Sequence, residues 1–123
     1  MQYLIGTDIG TSGTKTVVMS ADGRLMASAL EEYGVIYPRA LWAEQWPGPW
    51  VDAVMSTIRK AVAESGVKKE EIAGLCVSGL YGGAGVPLDG AMRPVRPCII
   101  WMDRRARAQS RRMMDAVGFD RLY

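Results

Sequence analysis

The beginning of the chain alternates short apolar runs with tight polar turns. Residues 3–9 are mostly apolar and end at a glycine-rich stretch, which predicts a strand buried on both faces. The β-branched residues 14–19 predict a second strand, and residues 24–30 predict a third after the turn at residues 21–23. Residues 10–13 are too few for a crossover helix. We therefore expect the first two strands to form an antiparallel hairpin.

A helical period follows an irregular stretch that contains several prolines. Apolar residues recur at the spacing of one helix face, at Val51, Val54, Met55, Ile58 and Val62. Gly66 stands where a helix C-cap is expected. Residues 68–71 predict a solvated turn, and the apolar residues 72–77 predict a fourth strand that enters the interior of the sheet.

The end of the chain predicts a small hairpin and a second helix. The hairpin covers residues 86–95 around a turn at Asp89, and its prolines suit edge strands. Asp103 is predicted to cap a helix that runs from about residue 104 to residue 117 and is closed by Gly118. Three antiparallel strands, a helix, a strand, a hairpin and a helix predict the opening of an α/β domain with a mixed sheet.

Composition narrows the classes of partner. The chain has 15 Lys and Arg residues against 13 Asp and Glu residues, and nucleic acid or an anionic membrane usually requires a much larger basic excess. No apolar run could span a membrane and the start lacks the features of a signal peptide, so we expect a cytoplasmic protein. Histidine is absent, so proton transfer would fall to a carboxylate or another group. Cys76 and Cys98 lie in apolar runs and are expected to be buried, reduced thiols.

The candidate chemistry lies in the first predicted turn, where a strand ending in a carboxylate meets a Gly/Ser/Thr-rich segment. Such a turn brings backbone N–H groups and hydroxyls close to a phosphate, and the predicted phosphate-binding residues are Gly10, Thr11, Ser12, Gly13, Thr14 and Lys15. The carboxylate of Asp8 faces the same place and would suit Mg²⁺ held through water. The segment is no Walker A loop, because Thr14 separates Gly13 from Lys15 and a strand follows. An ordinary glycine-rich hairpin turn is the alternative.

Four segments carry a family resemblance. Asp-x-Gly-Thr-Ser-Gly resembles the first phosphate motif of the actin, Hsp70 and sugar kinase superfamily. Residues 41–47 resemble the Trp-x-Glu-x-Asp-Pro segment of FGGY carbohydrate kinases, although Trp46 stands where a helix-capping Asp is usual. Residues 77–83 are similar to the Gly-Gln-Met-His-Gly segment of xylulokinases, and residues 100–105 resemble their Trp-x-Asp-x-Arg. The chain is thus identified as a member of the FGGY family, nearest to its xylulokinase-like members.

The resemblance implies a ribonuclease H-like mixed sheet with flanking helices, ATP and Mg²⁺ as cofactors, and a sugar or polyol as the small-molecule substrate. It also implies a sugar-binding side, formed by Leu80, Tyr81, Gly82, Trp101 and Asp103. Leu80 and Tyr81 replace the usual Met-His pair, which leaves the particular sugar open. Trp101 suits the core or a pocket wall, and Asp103 could contact the sugar, cap the last helix, or do both.

The resemblance further implies that residues 1–123 are the N-terminal part of the first kinase domain, which is incomplete, with the second domain absent. The general base is expected downstream, so no catalytic residue is assigned here. We expect these residues alone to be inactive and to form a homo-oligomer. Two alternatives stay open: a non-catalytic nucleotide-binding or interaction module, and a kinase that acts on a non-sugar acceptor.

Overall fold

The computed structural model describes residues 2–79 and 84–122. Its strands are β1 (Tyr3–Ile9), β2 (Gly13–Ser20), β3 (Leu25–Glu32), β4 (Glu44–Gln45), β5 (Ile72–Gly79) and β6 (Cys98–Ile99). Its helices are α1 (Pro47–Ser65), α2 (Arg107–Val117) and α3 (Phe119–Leu122), with a 3-10 turn at Lys69–Glu71. Strands β3, β2, β1 and β5 form a four-stranded sheet in that order, and β4 pairs with β6.

The sheet is mixed because its connections differ in length. A short turn joins β1 to β2, and the two strands pair antiparallel from Tyr3–Ser20 to Ile9–Thr14, which confirms the predicted hairpin. β3 continues the antiparallel order. Helix α1 carries the chain back across the sheet, so β5 pairs parallel with β1. The mixed α/β architecture expected from the sequence is confirmed.

Helix α1 packs on one face of the sheet and closes the core. Ile5, Val18 and Ala61 form a buried apolar cluster between the sheet and this helix. Gly66 ends the helix in the left-handed conformation, at φ 66°, as predicted. Trp46 is the N-cap and makes no side-chain capping bond, while Pro47 occupies the first turn, where its missing N–H has no consequence.

Three threonines link the sheet to α1 inside this core. The hydroxyl oxygens of Thr7 and Thr16 lie 2.8 Å apart, and those of Thr16 and Thr57 also lie 2.8 Å apart. Thr57 donates to the carbonyl oxygen of Ala53 at 2.7 Å. All three threonines are buried, and each buried hydroxyl therefore has a partner.

The sheet is covered less completely than the sequence predicts, which corrects three predictions. β1 is buried on one face only, because Leu4 and Asp8 are exposed while Ile5 and Thr7 are buried. β5 lies at the edge of the described sheet rather than in its interior, and the side chain of Leu75 is 52% exposed. Cys76 is exposed, whereas Cys98 is buried as predicted. The apolar runs were correct for strands, but α1 lies on one face only and mainly over β2 and β3, so the opposite face and the edge strand β5 have little cover among the described residues.

The region after β5 departs from prediction at two places. The turn at Asp89 forms, since its carboxylate accepts N–H groups from Ala91 and Arg93, but the predicted flanking strands reduce to one bridge between Leu88 and Pro94. Proline lacks the N–H that a longer ladder needs. The predicted cap at Asp103 is wrong: α2 begins at Arg107, after Ala106. No helix in the described part of the chain is long and apolar enough to cross a membrane.

Candidate functional site

An open groove of about 300 Å³ lies on the uncovered face of the sheet, across β1, β2 and β5. Asp8 is in register with Lys15 on β2 and with Ser78 on β5, and all three residues line the groove. Directly opposed residues point to the same face of a sheet. The structure therefore brings the predicted magnesium carboxylate and the predicted phosphate-binding lysine together, both exposed to solvent.

The donor set of the groove suits Mg²⁺ better than a metal held by protein side chains alone. In residues 2–79 and 84–122, no group of three or more His, Cys, Asp and Glu side chains could hold a metal ion. Mg²⁺ commonly keeps several waters and takes only one or two carboxylates together with the oxygens of a bound phosphate. Asp8 is the acidic side chain that lines this groove, and its single carboxylate fits that mode.

Residues 10–13 form the turn at one end of the groove. The N–H of Gly10 donates to the carbonyl oxygen of Gly13 at 2.9 Å and closes the turn. At Gly13 an added Cβ would lie 2.7 Å from the carbonyl oxygen of Glu31, so only glycine fits beside β3 without a backbone shift. Thr14 is fully buried on the α1 side of the sheet, the face opposite Lys15. Its hydroxyl thus lies away from the groove.

Three side chains from separate segments hold this turn in place. The Tyr33 hydroxyl donates to the carbonyl oxygen of Gly10 at 2.6 Å. The Gln45 amide donates to the carbonyl oxygen of Thr11 at 2.8 Å, and the Trp101 indole donates to the Thr11 hydroxyl at 2.9 Å. Burial, the largest cause, and the nearby negative charge of Asp8 raise the pKa of the Tyr33 hydroxyl, which stays protonated at neutral pH.

Sequence reasoning did not find Tyr33 or Gln45. Gln45 lies inside the Trp-x-Glu-x-Asp-Pro segment that carried the resemblance, which was the one signal that could have drawn attention to it. Tyr33 follows β3 directly and has no local motif. Both residues act over sequence separations of more than twenty residues, and such contacts leave no periodic pattern in the chain.

The predicted sugar side is described in part. Leu80, Tyr81 and Gly82 lie outside the described residues. Trp101 lies two residues after the end of β6, and its side chain is half exposed while its ring N–H points to the turn. The structure thus places one predicted sugar-side residue in direct contact with one predicted phosphate-side residue, Thr11.

Asp103 belongs to a partly buried ionic cluster with Arg105. Its Oδ2 accepts the backbone N–H of Ala43 at 2.7 Å, and its Oδ1 accepts the backbone N–H of Arg105 at 2.9 Å. The guanidinium of Arg105 contacts Asp103 at 2.7 Å and Glu44 at 2.6 Å, and it stacks on the Trp42 ring at 3.7 Å. The Asp103 side chain is only 3% exposed, and both of its oxygens already have donors.

The electrostatics of this cluster follow from those contacts. The hydrogen bonds from Arg105, the largest cause, lower the pKa of Asp103 to about 2, and the N–H of Ala43 adds to the effect. The same partner raises the pKa of Arg105. The cluster joins the segment before α1 to the segment before α2, so the two Trp-containing motifs of the sequence meet in one structural unit.

Comparison of the sequence with protein-family profiles identifies the class of protein. The profile of the FGGY family of carbohydrate kinases, N-terminal domain, matches residues 3–123. The chain belongs to the FGGY family of carbohydrate kinases. The resemblance noted in the sequence is thereby confirmed.

Individual relatives agree with this assignment. The chain is 34% identical to the xylulose kinase of Bacillus subtilis over 118 residues, which are 96% of this chain and 23% of that protein. It is 34% identical to the glycerol kinase of Delftia acidovorans over 106 residues, which are 86% of this chain and 21% of that protein. The crystal structure of the xylulose kinase from Rhodospirillum rubrum superposes with a TM-score of 0.84 at 25% identity, over 97% of this chain and 24% of that one. The chain therefore spans about a quarter of the length of these kinases.

Proposed function

We propose that this chain forms one side of the active site of an ATP-dependent kinase that phosphorylates a hydroxyl group of a sugar or polyol. The turn 10–13 and Lys15 contact the phosphates of ATP, and Asp8 faces the Mg²⁺ through water. The observation that carries the proposal is the register of Asp8 with Lys15 beside this turn. That register brings a carboxylate and a cation into one open groove, close in sequence to the turn that carries the N–H groups.

Phosphoryl transfer is achieved mainly by positioning and by neutralising charge. Lys15 supplies positive charge on the same side of the groove as the turn, where it favours the polyanionic phosphates. When bound, Mg²⁺ would neutralise charge on the phosphate oxygens during transfer. A general base must take the proton of the sugar hydroxyl. We propose that it lies in the part of the related kinases that this chain does not span.

On the sugar side, we propose that Trp101 forms part of the pocket wall, together with Leu80, Tyr81 and Gly82, which follow β5 in the sequence. Its half-exposed ring supports this role. A direct contact from Asp103 to the sugar stays a prediction; both of its carboxylate oxygens already accept hydrogen bonds within the protein. Its cluster supports the wall by holding the segment that carries Trp101.

The activity is tested in a complete kinase, defined here as residues 1–123 followed by the remaining domains, taken from its own gene or from the Bacillus subtilis relative. We expect ADP release that depends on a sugar or polyol, measured in a coupled assay against a panel of ketoses, aldoses and polyols. Turnover with a non-sugar acceptor, and none with any member of the panel, would show that the substrate is not a sugar or polyol. ATP binding without any turnover would favour a non-catalytic module.

The isolated chain of 123 residues is expected to show no sugar-dependent ADP release and to self-associate. Its sheet ends at β5, which leaves one row of N–H and C=O groups unpaired within the described residues, and Leu75 and Val77 are exposed there. Such an edge favours strand addition or burial of the apolar patch by a second copy. The coupled assay and sedimentation velocity at several concentrations test the two expectations. Sugar-dependent turnover would refute the first, and a monomer at high concentration would refute the second.

A further inference from the structure

Every carbonyl oxygen of the turn 10–13 accepts a hydrogen bond from within the protein. The oxygen of Ser12 accepts the N–H of Tyr33 at 3.1 Å, and that of Gly13 accepts the N–H of Gly10 at 2.9 Å. Those of Gly10 and Thr11 accept from the side chains of Tyr33 and Gln45, as described above. Four consecutive carbonyl groups are thus held by donors of the protein, a pattern that regular secondary structure does not impose on a turn.

The N–H groups of the same turn behave differently. Those of Thr11 and Ser12 have no hydrogen-bond partner among residues 2–79 and 84–122. A turn that binds an anion needs free N–H donors, and a carbonyl oxygen turned toward the ligand would repel it. With its carbonyl oxygens already bonded to the protein and two N–H groups free, the turn has the polarity that an anion requires.

The side-chain hydroxyls extend the same polarity. An indole N–H can only donate, so the hydroxyl of Thr11 must accept from Trp101, and its own proton stays available for a ligand. The Tyr33 hydroxyl donates to a carbonyl oxygen, which can only accept, so the hydroxyl of Thr14 must be the donor to Tyr33 at 3.1 Å. The protein thus fixes the direction of both hydrogen bonds.

We propose that Tyr33, Gln45 and Trp101 are positioning residues that prepare the turn 10–13 for the phosphate chain of a nucleoside triphosphate. The inference rests on the proposed function, because that function supplies the anion. Gln45 is suited to this role because it is only 4% exposed, and its amide nitrogen is fixed between the carbonyl oxygens of Thr11 and Gly34. Trp101 adds a link to the sugar side, since a sugar packed on its ring would also bear on the orientation of Thr11.

Tyr33→Phe removes the hydroxyl and keeps the ring, so it is the most direct test, and it is made in the complete kinase defined above. The matched control is Tyr37→Phe, since Tyr37 is exposed and forms no hydrogen bond to another described residue. Binding of inorganic tripolyphosphate is followed by NMR through the amide signals of Thr11 and Ser12. We expect Tyr33→Phe to weaken that binding about fivefold, the effect of one lost hydrogen bond, and Tyr37→Phe to leave it unchanged.

A second measurement separates positioning from general stability. Hydrogen exchange of the Gly10 N–H, which closes the turn, is expected to be about fivefold faster in Tyr33→Phe, while the buried strand residue Val18 exchanges as in the wild type. If Tyr33→Phe also accelerates exchange at Val18, the tripolyphosphate affinity of Trp101→Phe becomes the deciding measurement. Its half-exposed ring can be replaced with little effect on folding. Weaker tripolyphosphate binding in Trp101→Phe would then support the proposal.

The outcomes also separate this inference from the proposed function. Unchanged tripolyphosphate affinity in both Tyr33→Phe and Trp101→Phe, with normal binding by the wild type, would overturn the positioning role and leave the kinase proposal intact. No tripolyphosphate response in the wild type at the Thr11 and Ser12 amides would instead contradict the phosphate site on which both rest.

Discussion

Asp8→Ala is expected to lower kcat of the complete kinase about 100-fold, while KM for the sugar changes little. The reason is that Asp8 lies opposite Lys15 in the groove, which we propose to be the phosphate side, and would act on the metal rather than on the sugar. Loss of a group that holds the metal costs transition-state stabilisation more than sugar affinity. Steady-state kinetics at saturating and limiting sugar would measure both parameters.

Asp52→Ala is the matched control for this experiment, because Asp52 is an exposed carboxylate on α1. We expect its kcat and KM to equal those of the unchanged protein. A near-normal kcat in Asp8→Ala would reject the assignment of Asp8. An increase in KM for the sugar at constant kcat would place Asp8 on the sugar side of the cleft instead.

Asp103→Asn is expected to lower the free energy of unfolding by about 2 kcal/mol at neutral pH, because it leaves the charge of Arg105 without its principal partner in a largely buried cluster. Glu44 still pairs with Arg105 and limits the loss. Urea unfolding followed by tryptophan fluorescence measures the difference. Asp52→Asn, a change of the same chemistry at an exposed site, is expected to have no comparable effect.

The same variant has a predicted pH signature. In the folded state the pKa of Asp103 is lowered from 3.8 to about 2, so its contribution is fully present above 3.8 and is lost as pH falls toward 2. The difference in unfolding free energy between the wild type and Asp103→Asn should therefore shrink over this acidic range. A difference that stays constant down to a pH of about 2 would mean that the carboxylate charge does not stabilise the fold.

The strands and the first helix were predictable because their signals are local. Alternating and β-branched runs, a turn too short for a crossover and an apolar stripe ended by Gly66 each act within a few residues. The cap at Asp103 failed for the opposite reason. A carboxylate before a helical stretch usually bonds the first free N–H groups, but here Ala43, sixty residues away in the chain, and Arg105 take both oxygens.

Burial could be predicted only in part. An apolar strand is compatible with a sheet covered on one face or on two, and the sequence of β1 or β5 does not distinguish them. The choice depends on what packs against the sheet, and in the described chain only α1 does so. For this reason Cys76, on the uncovered face of β5, is exposed; Cys98, in an equally apolar run, lies in the separate β4–β6 pair and is buried.

The sequence by itself determined the family, the hairpin and the position of Asp8 next to a glycine-rich turn, because these depend on residue types at short, fixed spacing. The tertiary structure decided how that turn is held. It directed Thr14 into the core and Lys15 into the groove through the alternation of β2, and it brought Tyr33, Gln45 and Trp101 onto the turn from three separate segments. Such contacts arise from packing between distant parts of the chain, and local spacing carries no record of them.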